Sequence, residues 1–238
     1  MSHRPTMYQS PEIAKLVERQ LRNVELLRTT EPHSETHATR PPVRDFVAIS
    51  RQVASGGRRI ACLVAERLGW PVFDAQILQH MAGDDEVRRE LYAHLDERDQ
   101  TWIADMLGWL VQGELRQHDY FHRLTQTVLA LARQSSGVFV GRGADLILPR
   151  QIGLRVRIVA PAELRLRFYI EQTGLDPKQA RVEMNRLEEQ RIAFVKHHFR
   201  RDPEDATRYD LTLCLEHYSP EQAVDIIFAA MKARGGAR

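Results

Sequence analysis

Several features that would assign this chain to a specialised class are scarce or absent. No apolar run among the 238 residues is long enough to cross a membrane, and no basic-then-apolar start indicates a signal peptide. The two cysteines, Cys62 and Cys214, lie in apolar stretches far apart in sequence, without a metal-binding spacing. We expect each to be a buried free thiol, in a reducing compartment such as the cytoplasm.

An excess of charge of one sign is also lacking. The 34 basic and 32 acidic side chains give a net charge of +2, which argues against a surface built to bind nucleic acid. Most of the basic residues are arginine, whose planar fork of donors suits phosphate groups. The ten histidines show no metal-binding pattern, so we expect no protein-bound metal site.

The first 44 residues predict a helical arm and a linker. Ser10 and Pro11 are a good N-cap and first helical residue, and apolar residues then recur at helical spacing as far as Leu27. Residues 29–44 are polar and contain prolines, which predicts a linker. The apolar stripe of the arm must be buried, either on outer helices of the main domain or on a second copy in a homodimer.

Residues 45–234 predict one α/β domain, followed by a short flexible tail at 235–238. Short apolar segments alternate with helical patterns, at 46–50, 71–74, 137–141, 154–160 and 211–216. This alternation predicts a five-stranded parallel sheet with helices on both faces. Ligands of such sheets bind at the carboxyl ends of the strands, so the residues after each strand are the candidate site.

The segment after the first strand has the setting of a phosphate-binding loop but lacks its lysine. Small residues at 54–57 join an apolar strand to an amphipathic helix. In the motif G-x-x-x-x-G-K-[ST], Gly56 takes the second glycine, Arg51 the first, and Gly57 the lysine. Arg58 then replaces the serine or threonine, and a shift of one residue would place it at the lysine instead. A plain strand-to-helix turn is the alternative.

Further segments resemble the cytidylate kinases, in the same order and at strand ends. They are VFD at 72–74, VFVGRGADLIL at 138–148, RLEEQRIAFVKHHF at 186–199 and YDLTLCLEHYSPEQAVDII at 209–227. The Ser-Gly-Gly loop followed by arginine resembles still more the divergent cytidylate kinase-like branch, which also lacks the lysine. The resemblance covers residues 46–233 and excludes the arm.

The resemblance implies a phosphotransferase. It would move a phosphoryl group from ATP or another nucleoside triphosphate, with Mg²⁺, to a nucleoside monophosphate such as CMP or to another small acceptor. The alternative is a catalytically silent regulatory module of the same fold that binds nucleotides. An RNA-binding protein is a weaker third interpretation, because the net charge is near neutral and no aromatic-basic motif is present.

The resemblance also implies residue roles. The triphosphate would be bound by Arg51, Ala54, Ser55, Gly56, Gly57, Arg58 and Arg59. Phosphoryl transfer would be assisted by Arg58 and by the lid arginines Arg165 and Arg167, of which at most one is expected to point into the site. The acceptor would be bound by Asp74, Arg142, Asp145, Glu188 and Arg191.

Most of the acceptor residues also have a structural interpretation. Asp74 is equally suited to cap the helix that follows it, Arg142 to pair with Asp145, and Glu188 with Arg191 to form a surface pair.

The two missing side chains of the loop lead to two further expectations. Ser50 or Ser55 would replace the missing magnesium-binding hydroxyl. The charge of the missing lysine would come from Arg58, Arg59 or a lid arginine, and a lysine introduced at Gly57 is expected to be tolerated.

Overall fold

The computed structural model describes residues 11–30, 43–110 and 119–235. The strands are β1 (Phe46–Arg51), β2 (Val72–Asp74), β3 (Gly137–Val140), β4 (Leu154–Val159) and β5 (Leu211–Cys214). The helices are α1 (Pro11–Thr30), α2 (Gly57–Leu68), α3 (Ala75–Gly83), α4 (Asp85–Ala93), α5 (Glu97–Leu110), α6 (Asp119–Gln134), α7 (Ala144–Ile147), α8 (Ala162–Thr173), α9 (Pro177–Phe199) and α10 (Pro220–Gly235). The five predicted strands are confirmed. Ser10, most of the predicted linker and the end of the tail lie outside the described residues.

The strands form one sheet in the order β2-β3-β1-β4-β5. β1 pairs in parallel with β4, with Val47 opposite Leu154, and β4 pairs in parallel with β5, with Val156 opposite Leu211. The predicted five-stranded parallel sheet with helices is therefore confirmed. β1 and β3 are nearly continuous apolar runs because strands at the centre of such a sheet are covered on both faces.

The contacts divide the chain into two compact units, and the first contains α1, β2 and α3–α6. In this unit α6 packs against α3, α4 and α5. Fully buried side chains of α3 and α6, among them Leu78 and Leu124, form its apolar centre. Arg133 and Asp99 form a buried ion pair in the same unit.

The arm helix α1 packs on α3 and α6 within this first unit. Its buried stripe contains Val17, Gln20 and Val24. The Gln20 Oε1 atom accepts a hydrogen bond of 2.9 Å from the backbone N–H of Val72. Because β2 lies at one edge of the sheet, Gln20 satisfies a donor that no further strand can bind. A dimer formed through α1 stays a prediction.

The second unit contains β1, β3, β4 and β5 with α2 and α7–α10. α2 packs on α10, where Arg67 lies 4.2 Å from the Phe228 ring centroid and pairs with Asp225 at 2.5 Å. α8 packs on α9. A capping box begins α10: Ser219 Oγ accepts from the Gln222 N–H at 3.2 Å, and Gln222 Oε1 accepts from the Ser219 N–H at 2.8 Å.

The expectation that both cysteines are buried is wrong, because Cys62 and Cys214 are exposed. Cys62 lies outside the buried stripe of α2, which contains its neighbours Ile60 and Ala61. Cys214 follows the buried Leu213 on the edge strand β5, where successive side chains point to opposite faces. Among the described helices, none is both long enough and apolar enough to cross a membrane.

We predict that Gln20→Ala lowers the free energy of unfolding by about 1–3 kcal/mol, because the Val72 N–H loses its acceptor at a part-buried position. Urea denaturation measures the loss. Arg19→Ala, on the exposed face of the same helix, is the control and should change stability by no more than about 0.5 kcal/mol. Equal losses in the two variants would contradict the role given to Gln20.

Candidate functional site

The loop between β1 and α2 is compact and is fastened to the neighbouring strand β4. The Gln52 N–H donates to the Ile158 carbonyl at 3.1 Å, and the Ala160 N–H donates to Gln52 Oε1 at 3.1 Å. Ala54 and Gly56 have left-handed backbones, with φ of 56° and 80°. Alternation of left-handed and right-handed residues gathers backbone N–H groups into a concave anion site, and α2 adds its positive end.

Arg51 and Gly57 face each other across this loop. A Cβ atom built at Gly57 would lie 2.6 Å from Arg51 Cβ and 3.0 Å from Arg51 Cγ. The near end of the Arg51 side chain thus fills the space that a side chain at position 57 needs. The expectation that a lysine at position 57 is tolerated by itself is therefore wrong.

Glu188 and Arg165 support the loop from the helices α9 and α8. The Glu188 carboxylate accepts the Val53 N–H at 2.6 Å and pairs with Arg165 at 3.3 Å. Arg165 also donates to the carbonyls of Ala160 at 3.2 Å and Val53 at 3.4 Å. The Arg165 and Glu188 side chains are 12% and 17% exposed, so their hydrogen bonds hold the loop in a largely water-free environment.

The other arginines proposed for the triphosphate and the lid point outward. Arg58 and Arg167 are exposed. Arg59 pairs with Glu221 on α10 at 3.1 Å, with the two side chains 68% and 60% exposed. Their roles in binding or catalysis stay predictions, and Arg59 already has an acidic neighbour in the second unit.

The turn after β3 contains three consecutive residues with left-handed backbones, Gly141, Arg142 and Gly143, at φ of 78°, 53° and 69°. Neither glycine leaves open space beside its Cα atom. The Arg51 guanidinium covers Gly141, with its Cζ 3.0 Å from where a Cβ would be, and the Phe199 ring covers Gly143. The glycines therefore admit protein side chains, and Arg142 between them has a left-handed backbone that residues other than glycine rarely adopt.

Arg142 and Arg191 belong to a group of positive charges beside the loop. Arg142 lies 5.1 Å from the Phe194 ring centroid, and Arg191 donates to the Arg51 carbonyl at 3.5 Å. Burial lowers the pKa of the Arg191 guanidinium, the Glu188 carboxylate raises it, and the charges of Arg142 and Arg157 lower it again. Arg191 is thus close enough to Arg142 and Arg157 for their positive charges to act on its guanidinium, and an incoming anion would favour the charged form of Arg191.

Asp74 and Asp145 have structural partners in their own units. Asp74 Oδ1 accepts the N–H groups of Gln76 and Ile77 at 3.0 Å each, so this residue caps α3. The Asp145 carboxylate binds Arg208 at 2.5 Å, and both side chains are 6% exposed. A nucleotide-binding role of either aspartate stays a prediction.

Sequence reasoning did not identify Arg157 as a member of this site. It lies on the buried strand β4, where Nη1 donates to Ser50 Oγ at 2.8 Å. The Tyr209 hydroxyl lies 3.2 Å from the same Ser50 oxygen and donates to the Pro203 carbonyl at 2.8 Å. The available signal was the segment LRVRIV, because a charged residue within a buried strand needs a specific polar partner.

The two serines proposed for magnesium do not fit that role. Ser50 Oγ accepts from the positively charged Arg157, and Ser55 Oγ donates to the Gln52 carbonyl at 2.9 Å while it is 1% exposed. Within the described residues, no group of three or more His, Cys, Asp or Glu side chains is arranged to hold a metal ion.

Solved structures similar to this chain include an uncharacterized protein from Eubacterium ventriosum, which is 20% identical with a TM-score of 0.65, covering 80% of this chain and 99% of that one. This similarity shows a shared fold. A shikimate kinase from Acinetobacter baumannii in complex with shikimate is 15% identical, with a TM-score of 0.42 and coverage of 80% and 94%. An APS kinase from Mycobacterium tuberculosis is 16% identical, with a TM-score of 0.40 and coverage of 81% and 99%.

No curated protein matches the chain. The model of the cytidylate kinase-like family matches residues 46–217, which include the loop, the turn after β3 and the helix that carries Glu188 and Arg191. This match covers more than half of the sequence. The chain belongs to the cytidylate kinase-like family.

Proposed function

We propose that this protein transfers a phosphoryl group from a nucleoside triphosphate, with ATP as the first candidate, to a small phosphorylated acceptor. A nucleoside monophosphate such as CMP is the first acceptor to test. The observation that carries the proposal is the group of guanidinium charges of Arg142, Arg157 and Arg191 beside a loop shaped to bind phosphate. Membership of a kinase-like family supports the same reaction class.

The donor side of the proposed site is the loop and the start of α2. The first N–H groups of a helix have no acceptor within the helix, and those of α2 begin at Gly57. They and the left-handed turn at Ala54 and Gly56 would bind the phosphates nearest the transferred group. Arg165 and Glu188 keep this loop in shape from α8 and α9.

The acceptor side is the arginine pair Arg142 and Arg191. Arg142 lies in the turn after β3 and has a left-handed backbone. The Arg191 side chain donates a hydrogen bond to the carbonyl of Arg51, the last residue of β1. A guanidinium group binds two phosphate oxygens at once, so this pair would hold an acceptor phosphate in a defined orientation. Phosphoryl transfer needs little covalent chemistry from the protein, because positioning and positive charge supply most of the catalysis.

One observation favours the second candidate, a silent regulatory module that binds nucleotides. The Glu188 carboxylate already holds the Val53 N–H at 2.6 Å, so one loop donor has an anionic partner before any nucleotide arrives. Position 57 also lacks the lysine of the usual motif. Such a module would bind nucleotides without forming product. A cytoplasmic location and a homodimer stay predictions from the sequence.

We predict that ATP or GTP with magnesium raises the melting temperature, and that a pyrimidine nucleoside monophosphate raises it further. A ligand at about a hundredfold excess over its Kd stabilises the folded state by about 2.7 kcal/mol. Differential scanning fluorimetry measures the shift, and the same mixtures are assayed for diphosphate products. Adenosine and cytidine without phosphates are the control ligands. Stabilisation without product supports the silent module, and no shift at millimolar nucleotide contradicts both candidates.

We predict that Arg142→Ala and Arg191→Ala weaken binding of the monophosphate more than that of the triphosphate. Each change should cost about 1.5–3 kcal/mol of monophosphate binding, the usual worth of a hydrogen bond to a charged group. Isothermal titration calorimetry with each ligand separately measures both affinities.

Arg181→Ala is the matched control for these two variants. Arg181 lies on α9 like Arg191, but it is half-exposed and pairs with Glu163 at 3.0 Å. This variant should bind both ligands as the parent does. Equal losses for the two ligands in Arg142→Ala and Arg191→Ala would show that the acceptor site is assigned wrongly.

A further inference from the structure

The Arg51 side chain follows an unusual path across the candidate site. Its Cβ and Cγ atoms lie over Gly57, at 2.6 and 3.0 Å from where a Cβ of residue 57 would be. Its guanidinium group ends over Gly141, with Cζ 3.0 Å from the corresponding Cβ position there. A side chain at position 57 would overlap the near end of Arg51, which has little freedom to move, whereas one at position 141 would meet only its flexible end.

This path explains the two departures of the loop from the usual motif as one exchange. The motif has glycine where Arg51 stands and lysine where Gly57 stands. In this chain the bulky cationic residue stands at the end of β1, as Arg51, and the small residue stands at the start of α2, as Gly57. The same space beside the loop therefore still contains an aliphatic stem with a positive charge at its end.

We infer that Arg51 replaces the missing lysine and binds phosphate oxygens of the nucleoside triphosphate. This inference rests on the proposed function and adds the residue that supplies the missing charge. A planar guanidinium can bind two phosphate oxygens at once, whereas an ammonium acts as a point charge. The end of Arg51 covers Gly141, next in sequence to Arg142, so its charge lies between the loop and the proposed acceptor arginine.

The arginines that the sequence suggested as the source of the missing charge are less suited to supply it than Arg51. Arg59 is exposed and pairs with Glu221, and Arg58 is exposed at the first turn of α2. Arg165 already binds two loop carbonyls and Glu188. Of the loop and lid arginines, Arg51 is the one whose side chain crosses both the start of α2 and the turn after β3.

The first test separates the charge of Arg51 from its volume. Arg51→Met keeps an unbranched stem over Gly57 but removes the charge, while Arg51→Lys keeps the charge. We expect Arg51→Met to weaken ATP binding at least tenfold and ADP binding less. Arg51→Lys should recover most of the ATP affinity. Arg67→Ala, an exposed arginine farther along α2, is the control and should bind ATP as the parent does.

The second test rebuilds the usual motif. Gly57→Lys alone should be destabilised, because its side chain overlaps Arg51. The double variant Arg51→Gly with Gly57→Lys removes that overlap and returns the charge to the helix start. We expect this double variant to be more stable than Gly57→Lys and to bind ATP at least tenfold more tightly than Arg51→Gly. This variant keeps the inference testable if Arg51→Met fails to fold.

The outcomes distinguish this inference from the proposed function on which it rests. Fluorescence titration with a labelled ATP analogue measures binding, and ligand-free unfolding is recorded in parallel. If the parent binds no triphosphate, the proposed function fails. If the parent binds ATP but Arg51→Met binds it equally well, or Gly57→Lys does not need Arg51→Gly for its stability, only the inference is overturned.

Discussion

Buried guanidinium groups need oxygen acceptors, and this constraint organises the unit that contains β1, β4 and β5. Arg155 is 1% exposed and donates through Nε to the Asp145 carbonyl at 3.0 Å. Arg208 binds the carboxylate of the same Asp145 and the Asp202 carbonyl, at 2.5 and 2.7 Å. A buried charge without such partners would strongly destabilise the fold. The turns after β3 and before β5 are thus shaped by the arginines that they satisfy.

Acidic partners for the arginines are unevenly distributed, and this matters more for function than the net charge. On the surface of the second unit, Arg59, Arg67 and Arg181 each face an acidic side chain. Beside the loop, the positive charges of Arg142 and Arg157 both act on the guanidinium of Arg191, whose nearby carboxylate is that of Glu188. A chain with a net charge of only +2 therefore still has several positive charges close together beside the loop.

The loop shows why a phosphate-binding motif read along the chain is incomplete. A position-by-position comparison with the usual motif finds Arg51 in place of the first glycine and Gly57 in place of the lysine. In three dimensions these are neighbours, because the left-handed turn at Ala54 and Gly56 returns the chain to the end of β1. A phosphate group requires a positive charge at a particular point in space, and residues at different positions in the sequence can supply that charge.

The sequence by itself determined the order of the elements and the location of the candidate site. Alternating apolar runs and helical stripes predicted the five strands, and strand ends with Gly and Arg marked the loop and the turn after β3, because both signals are local. The capping box of α10 was predictable for the same reason, since it joins Ser219 and Gln222, three residues apart. The exposure of Cys62 and Cys214 was not predictable, because apolar neighbours in sequence do not reveal which face of a helix or edge strand is covered.

Only the tertiary structure decided how each arginine is used. Arg165 is committed to loop carbonyls, Arg157 to Ser50, and Arg51 lies over two glycines, one of them 90 positions away at Gly141. Arginine side chains are long and flexible, so the number and spacing of arginines in the sequence do not determine where each guanidinium group lies. The position of each guanidinium group depends on hydrogen-bond acceptors and on free volume. Both are provided by segments that are distant in sequence and come together only when the sheet has formed.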